Sequence, residues 1–198
     1  MKFNLGMKLS SEFITASFSL EKTDVLIDNC LSGLFAFHTS VNLSELALTK
    51  ANKLVLQDRA SCLPPFVLRP EAGDVVLDCC AAPGNKTHQL AEFVGTKGKV
   101  LACEADPKRY KLLSNRMDSL GAGKIVDSKL QNFFEIKVDQ GSWANVNKIM
   151  LDPSCSGSGM AHKRLFPIIY MRTHDCPMQC GLTMVFQDIA RGRQQRKN

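Results

Sequence analysis

The chain has 198 residues, 44% of them hydrophobic and 22% charged, with a formal net charge of +6. This is the make-up of a soluble globular chain large enough for one sizeable core and a small accessory piece. No apolar run approaches membrane-spanning length, and Asn4, Ser10, Ser11 and Glu12 break up the N-terminus, so neither a membrane span nor a secretory signal is expected. The basic excess is local: residues 161–198 carry seven Lys/Arg against two Asp/Glu, leaving eighteen against seventeen for residues 1–160. Charge is therefore weak support for nucleic-acid binding by the main body. The eight cysteines read as reduced thiols of an intracellular chain rather than as a disulfide framework.

Residues 1–22 are polar and mixed, without a clear period. From Thr23 to Phe37, short apolar runs broken by Asp28, Asn29 and Gly33 predict extended segments and turns. Lys53–Gln57 reads as a short strand, and Asp58–Leu63 starts a helix that Pro64 and Pro65 complicate. The middle third then alternates. Strands are expected at Asp74–Asp78, Lys99–Glu104, Lys124–Val126 and Asn147–Leu151, and helices at Lys86–Val94 and Pro107–Leu120. That order predicts βαβ units and a parallel α/β sheet, in which ligands sit at the carboxyl ends of the strands.

The stretch Val75-Val-Leu-Asp-Cys-Cys-Ala-Ala-Pro-Gly-Asn-Lys-Thr87 is the focus of this pattern. It passes from an apolar strand through a small-residue turn into a helix start, where backbone can approach a ligand and free N–H groups meet a polar group. It is not a phosphate-gripping P-loop: Asn85 separates Gly84 from Lys86, and no glycine stands at the required upstream position. Glu104 ends the next strand, 26 residues after Asp78, where an acid can accept ribose hydroxyls. Asp106 is its rival, although Asp106-Pro107 also reads as a helix start, and Arg109 lies one turn onward. Gly121-Ala-Gly123 and Gly157-Ser-Gly159 lack the spacing of a dinucleotide fingerprint. In Met150-Leu-Asp-Pro-Ser-Cys-Ser-Gly-Ser-Gly159 a strand ends at Asp152 and turns into small polar residues around Cys155. A cysteine on such a loop is a better reactive candidate than Cys79 or Cys103 within strands, while Cys80 is placed to line the loop.

Gln57-Asp-Arg-Ala-Ser61, Asp78-Cys-Cys-Ala-Ala-Pro-Gly-Asn-Lys-Thr87 and Asp152-Pro-Ser-Cys-Ser-Gly-Ser-Gly159 together resemble, in order and spacing, the Sun-domain (RsmB-like) RNA 5-methylcytosine methyltransferases. Asn85 and the wording around Gln57 and Gly157 are most similar to the fifth eukaryotic branch, which acts on large-subunit ribosomal RNA. The resemblance runs from about Asp24 to Met160. It implies a Rossmann-like methyltransferase fold, S-adenosylmethionine as cofactor, ribosomal RNA as partner and a nuclear, nucleolar location. It places Cys80, Ala81, Ala82, Pro83, Gly84, Asn85 and Lys86 around the methionine and ribose end of the cofactor. Glu104 falls on the ribose hydroxyls, Arg109 near the adenosine, and Asp152 facing the methyl donor and target base. Asn132 stands where relatives often have an Asp near the adenine.

The chemistry of this family asks for thiols, because cytosine carbon 5 is a poor nucleophile until a thiolate adds at carbon 6. By resemblance Cys155 is the cysteine that assists release, while the attacking thiol belongs to a later Thr-Cys-Ser-like motif. No such motif follows in residues 161–198, and Thr173-His-Asp-Cys176 does not supply it. The expected organisation is a lead-in over 1–56, a cofactor-binding core over 57–160 left incomplete at its C-terminal side, and an unrelated basic tail over 161–198 arising from truncation or alternative splicing. The chain then reads either as a methyltransferase without turnover or as a non-catalytic S-adenosylmethionine- or RNA-binding fragment. His174, Cys176 and Cys180 do not form a standard zinc pattern, so no metal is expected.

Overall fold

In the computed structural model, which describes residues 25–31, 34–37, 42–45, 47–52, 54–137, 139–153 and 168–171, the alternation of the middle third becomes a four-stranded parallel sheet. Its strands are β4 (Val75–Asp78), β5 (Lys99–Glu104), β6 (Val126–Leu130) and β7 (Lys148–Met150), in the order β6-β5-β4-β7. Every neighbouring pair is parallel, with Leu77 level with both Leu101 and Ile149. Helix α3 (Asn85–Val94) joins β4 to β5, and α4 (Pro107–Ser119) joins β5 to β6. Such crossovers cover a parallel sheet and make its central strands continuous apolar runs. Val76, Val100, Leu101 and Ala102 of the sheet are accordingly buried, as are Leu90 and Val94 of α3 and Leu113 and Met117 of α4. Asp106 caps α4 by accepting from the Arg109 backbone N–H at 2.8 Å, and Pro107 occupies the first turn.

Two of the differences from the sequence pattern have local reasons. The third parallel strand begins at Val126 rather than Lys124, because the Ile125 and Val126 backbone N–H groups both turn back to the Ala122 carbonyl. Helix α2 (Arg59–Leu68) runs through Pro64 and Pro65. These prolines offer no N–H to the carbonyls four residues earlier. Burial of Cys62, Pro65 and Leu68 and a bond from the buried Gln89 side chain to the Cys62 carbonyl, at 3.2 Å, hold the segment.

The described residues fall into two compact units, one made of residues before Ser61 together with Ile168–Met171, the other running from Ser61 to Pro153. The first holds an antiparallel sheet of β1 (Val25–Ile27), β2 (Leu34–Phe37), β8 (Ile168–Met171) and β3 (Leu54–Leu56), in that order. A short helix, α1 (Ala47–Lys50), precedes β3. The strand Ile168–Met171 lies in the stretch that the sequence pattern assigns to an unrelated tail, and it pairs antiparallel with both β2 and β3. The β1–β2 turn is fixed by Asp28, whose Oδ1 accepts the Cys30 and Leu31 backbone N–H groups at 2.9 Å. Arg59 pairs with the same carboxylate and holds it below the usual carboxylate range. Among the described residues no helix is long and apolar enough to cross a membrane.

Candidate functional site

The loop between β4 and α3 sits at the carboxyl end of the parallel sheet, and its backbone is tied to β5. The Ala81 N–H donates to the Cys103 carbonyl at 2.9 Å, and the Ala82 N–H to Glu104 Oε2 at 3.3 Å. The Ala82 carbonyl accepts from Arg109 Nη2 at 2.7 Å, and the same guanidinium stands 3.5 Å from Glu104 Oε2. Glu104 is itself buried and also accepts the Asp106 N–H on Oε1 at 3.1 Å. Arg109, which the sequence alone leaves between cofactor support and simple exposure, is thus a strut between the loop and Glu104. Asp106, its rival in the sequence, is the cap of α4.

Gly84 sits at the N-cap of α3 with φ 102°. That left-handed backbone favours glycine. A Cβ there would also meet Met117 Cε at 2.7 Å and Leu113 Cδ1 at 3.0 Å, so the turn is pressed against α4. As a glycine, Gly84 makes no side-chain cap to α3, whose N-terminus lies at the strand ends.

On the other side of the loop, Lys86 Nζ pairs with Asp152 Oδ2 at 2.8 Å and donates to Ser61 Oγ at 3.1 Å. Asp152 lies two residues past the end of β7, so the pair joins the start of α3 to the strand on the other side of β4. Beneath the loop, fully buried Asp78 takes the Thr87 hydroxyl on Oδ2 at 2.7 Å. Burial pushes the Asp78 carboxyl up to about 6, with nearby Asp152 adding to the effect, although Thr87, the Cys80 backbone and Lys86 favour its charge. The thiols respond likewise. Burial, then the Asp78 charge, pushes Cys79 and Cys103 up to about 12 and raises Cys80 above the ordinary thiol value. None of these three is a ready thiolate.

The structure therefore brings together Cys80 through Lys86, Glu104, Arg109 and Asp152 at one sheet edge. Cys155 lies outside the described residues, as do His174, Cys176 and Cys180; among the described residues no cluster could hold a metal ion. Asn132 spends its side chain locally, accepting the Phe134 N–H at 3.1 Å. Sequence reasoning gave no role to Thr87, Asp78 or Ser61. Their motifs were visible, and a hydroxyl or acid inside an otherwise small-residue motif was the available signal.

A family model described as 16S rRNA methyltransferase RsmB/F matches residues 65–175. The chain belongs to this family. The match continues fifteen residues beyond Met160, where the sequence pattern stops aligning, and Ile168–Met171 lies inside that continuation. A 28S rRNA (cytosine-C(5))-methyltransferase of Mus musculus is 37% identical over 147 residues, covering 74% of this chain and 31% of that protein. The 25S rRNA (cytosine-C(5))-methyltransferase rcm1 of Schizosaccharomyces pombe is 39% identical over 140 residues, covering 70% and 30%. The chain thus spans about a third of the length of these curated relatives. Among solved structures, PH0851 superposes with a TM-score of 0.64 at 26% identity, covering 79% of this chain and 34% of that one. A methyltransferase homolog protein from Pyrococcus horikoshii follows at 0.58 and 24%, covering 77% and 49%, a likeness of fold. The parallel α/β unit is a Rossmann-like methyltransferase fold.

Proposed function

We propose that this chain carries the S-adenosylmethionine-binding part of an RNA cytosine-C5 methyltransferase acting on large-subunit ribosomal RNA in the nucleolus. The observation that carries this reading is the Cys80–Lys86 loop, tied to Glu104 and Arg109 on one side and, through Lys86, to Asp152 on the other. The residues fit the cofactor. A carboxylate offers about four acceptor positions; Glu104 uses one on each oxygen for backbone N–H groups, with Arg109 a further 3.5 Å from Oε2, and the remaining capacity is available to a ribose diol. Ala81, Ala82 and Gly84 keep the loop narrow enough for close backbone approach, and the N-terminus of α3 stands at the same sheet end.

When bound, the cofactor supplies an electrophilic methyl group on a sulfonium. The chain's own residues hold and orient: Glu104 the ribose hydroxyls, the Cys80–Lys86 loop the methionine end, and Asp152 the face toward a target base. Cys155 takes the release role that the family assigns to it. The raised values of Cys79, Cys80 and Cys103, and the lack of a Thr-Cys-Ser motif after Cys155 within these 198 residues, favour binding without turnover by this chain itself.

Calorimetric titration of S-adenosylmethionine into the 198-residue chain tests the reading. Saturable binding is expected, weakened about tenfold or more by Glu104→Ala, which removes two charge-assisted hydrogen bonds to the ribose. A folded chain that takes up no cofactor overturns the assignment. Transfer of labelled methyl to ribosomal RNA by the purified chain, lost in Cys155→Ser, would instead overturn the absence of turnover. RNA binding that survives deletion of residues 176–198, which spares the strand Ile168–Met171, places the RNA contact on the main body, whereas binding lost with that stretch reduces it to nonspecific charge.

A further inference from the structure

The motif Gln57-Asp-Arg-Ala-Ser61 has no part in the binding scheme above, yet it delivers one hydroxyl to the edge of the site. Asp58 begins α2 by accepting the Ala60 N–H on Oδ1 at 2.8 Å, which fixes the first turn and puts Ser61 within it. Ser61 Oγ then accepts from Lys86 Nζ at 3.1 Å, while the next residue, Cys62, offers its carbonyl to Gln89 at 3.2 Å. Two adjacent residues of α2 thus grip two residues of α3 that lie three positions apart, which is one helical turn.

We propose that Ser61 is a positioning residue whose hydroxyl holds the Lys86 ammonium on Asp152 at the carboxyl ends of β4 and β7. Magnitudes support a need for it. The Lys86–Asp152 pair is partly open to water, with side-chain exposures of 22% and 45%. A pair that open to water contributes little by itself, less than the rotamer freedom a lysine side chain gives up when it is ordered. A second, fixed acceptor on a rigid helix restricts the ammonium and tips this balance. Asp152 benefits in turn: β7 is only three residues long, and Lys86 is the anchor of its carboxylate. With Ser61 and Asp152 each taking one N–H, a third remains on Lys86 for a ligand acceptor. The consequence for ligand affinity rests on the cofactor reading; the positioning itself does not.

The test begins on the ligand-free 198-residue chain with isotope-labelled lysine, read by side-chain ammonium NMR. Lys86, assigned by loss of its signal in Lys86→Met, is expected to show slowly exchanging protons. Ser61→Ala erases that signal and Ser61→Thr, which keeps the hydroxyl, restores it. The same pair of variants is then titrated with S-adenosylmethionine, with about a fivefold loss of affinity expected for Ser61→Ala and none for Ser61→Thr. A Lys86 signal unchanged in Ser61→Ala overturns the proposal, as does equal weakening by both variants accompanied by a lower melting temperature, which marks a packing role. A wild-type chain that keeps the ammonium signal but binds no S-adenosylmethionine leaves Ser61 as the positioning residue and removes the cofactor reading instead.

Discussion

Strand β4 carries an aspartate at each end, and the two live under opposite conditions. Asp74, just before the strand, accepts the Glu71 N–H at 2.7 Å, Asn147 Nδ2 at 2.8 Å and Lys148 Nζ at 2.9 Å, and Lys148 also reaches the Arg69 carbonyl at 2.6 Å. Burial alone would raise its carboxyl, but the Glu71 amide, Lys148 and Asn147 together hold it below the ordinary value. Asp78, the last residue of the strand, is fully buried with a neutral hydroxyl as its short partner and is pushed up to about 6. One end of the strand is neutralised and cross-tied. The other keeps a carboxylate that burial disfavours, at the edge where parallel sheets place their ligands. Local costs of this kind collect at functional edges and are carried by stability elsewhere.

The largest way to break the contrast is Gly84→Val at the loaded end. It puts a branched side chain on a left-handed backbone and drives a Cβ into Met117 and Leu113, so urea unfolding is expected to show a loss of about 3–4 kcal/mol. A loss below about 1 kcal/mol would mean that α4 yields and the turn is not pressed in place. At the tied end, Lys148→Met leaves Asp74 without its cation and should cost about 1–2 kcal/mol by the same measurement. No change there would reduce the cross-tie to decoration.

Asp78→Asn reverses the direction. The folded chain holds the Asp78 proton up to about 6 and an unfolded chain only to the ordinary 3.8, so stability falls as pH rises through that window and stays lower above it. Asparagine keeps an oxygen for Thr87 and removes the buried charge. The variant should therefore be more stable than wild type by about 1–2 kcal/mol at pH 7, with the gap closing as pH falls toward 4. Melting curves across that range check it, and a gap independent of pH would refute the buried-charge account. Asp74 has the opposite sign: its contribution is present above the ordinary carboxylate value and is lost as pH falls through its lowered folded value. The smallest effect is expected at Phe134, which is 82% exposed. Phe134→Ser should move the melting temperature by no more than the equivalent of about 0.5 kcal/mol.

Much of the parallel unit was legible because its signals are local. Val75–Asp78 and Val100–Glu104 are continuous apolar runs ending in an acid, and Asp106-Pro107 is a self-contained helix start. The strand Val126–Leu130 was harder to place, since Asp127, Ser128 and Lys129 carry no apolar run at an edge that is half exposed, and its start depends on a turn back to Ala122. Within the site, the loop and Glu104 followed from spacing. The strut from Arg109 to the Ala82 carbonyl, joining residues 27 apart, did not, and neither did the pairing of Lys86 with Ser61.

By itself the sequence determined the succession of strand, small-residue turn and helix, the acid that ends the second parallel strand, and the three motifs that mark the family, because each depends on residues close together in the chain. Only the tertiary structure decided which charges meet. Asp74 with Lys148, Lys86 with Asp152 and Ser61, and Asp78 left to burial depend on β7 returning beside β4 and on α2 lying against α3. Electrostatic energies are set by such distances and by the water excluded around them, and neither is written in local sequence.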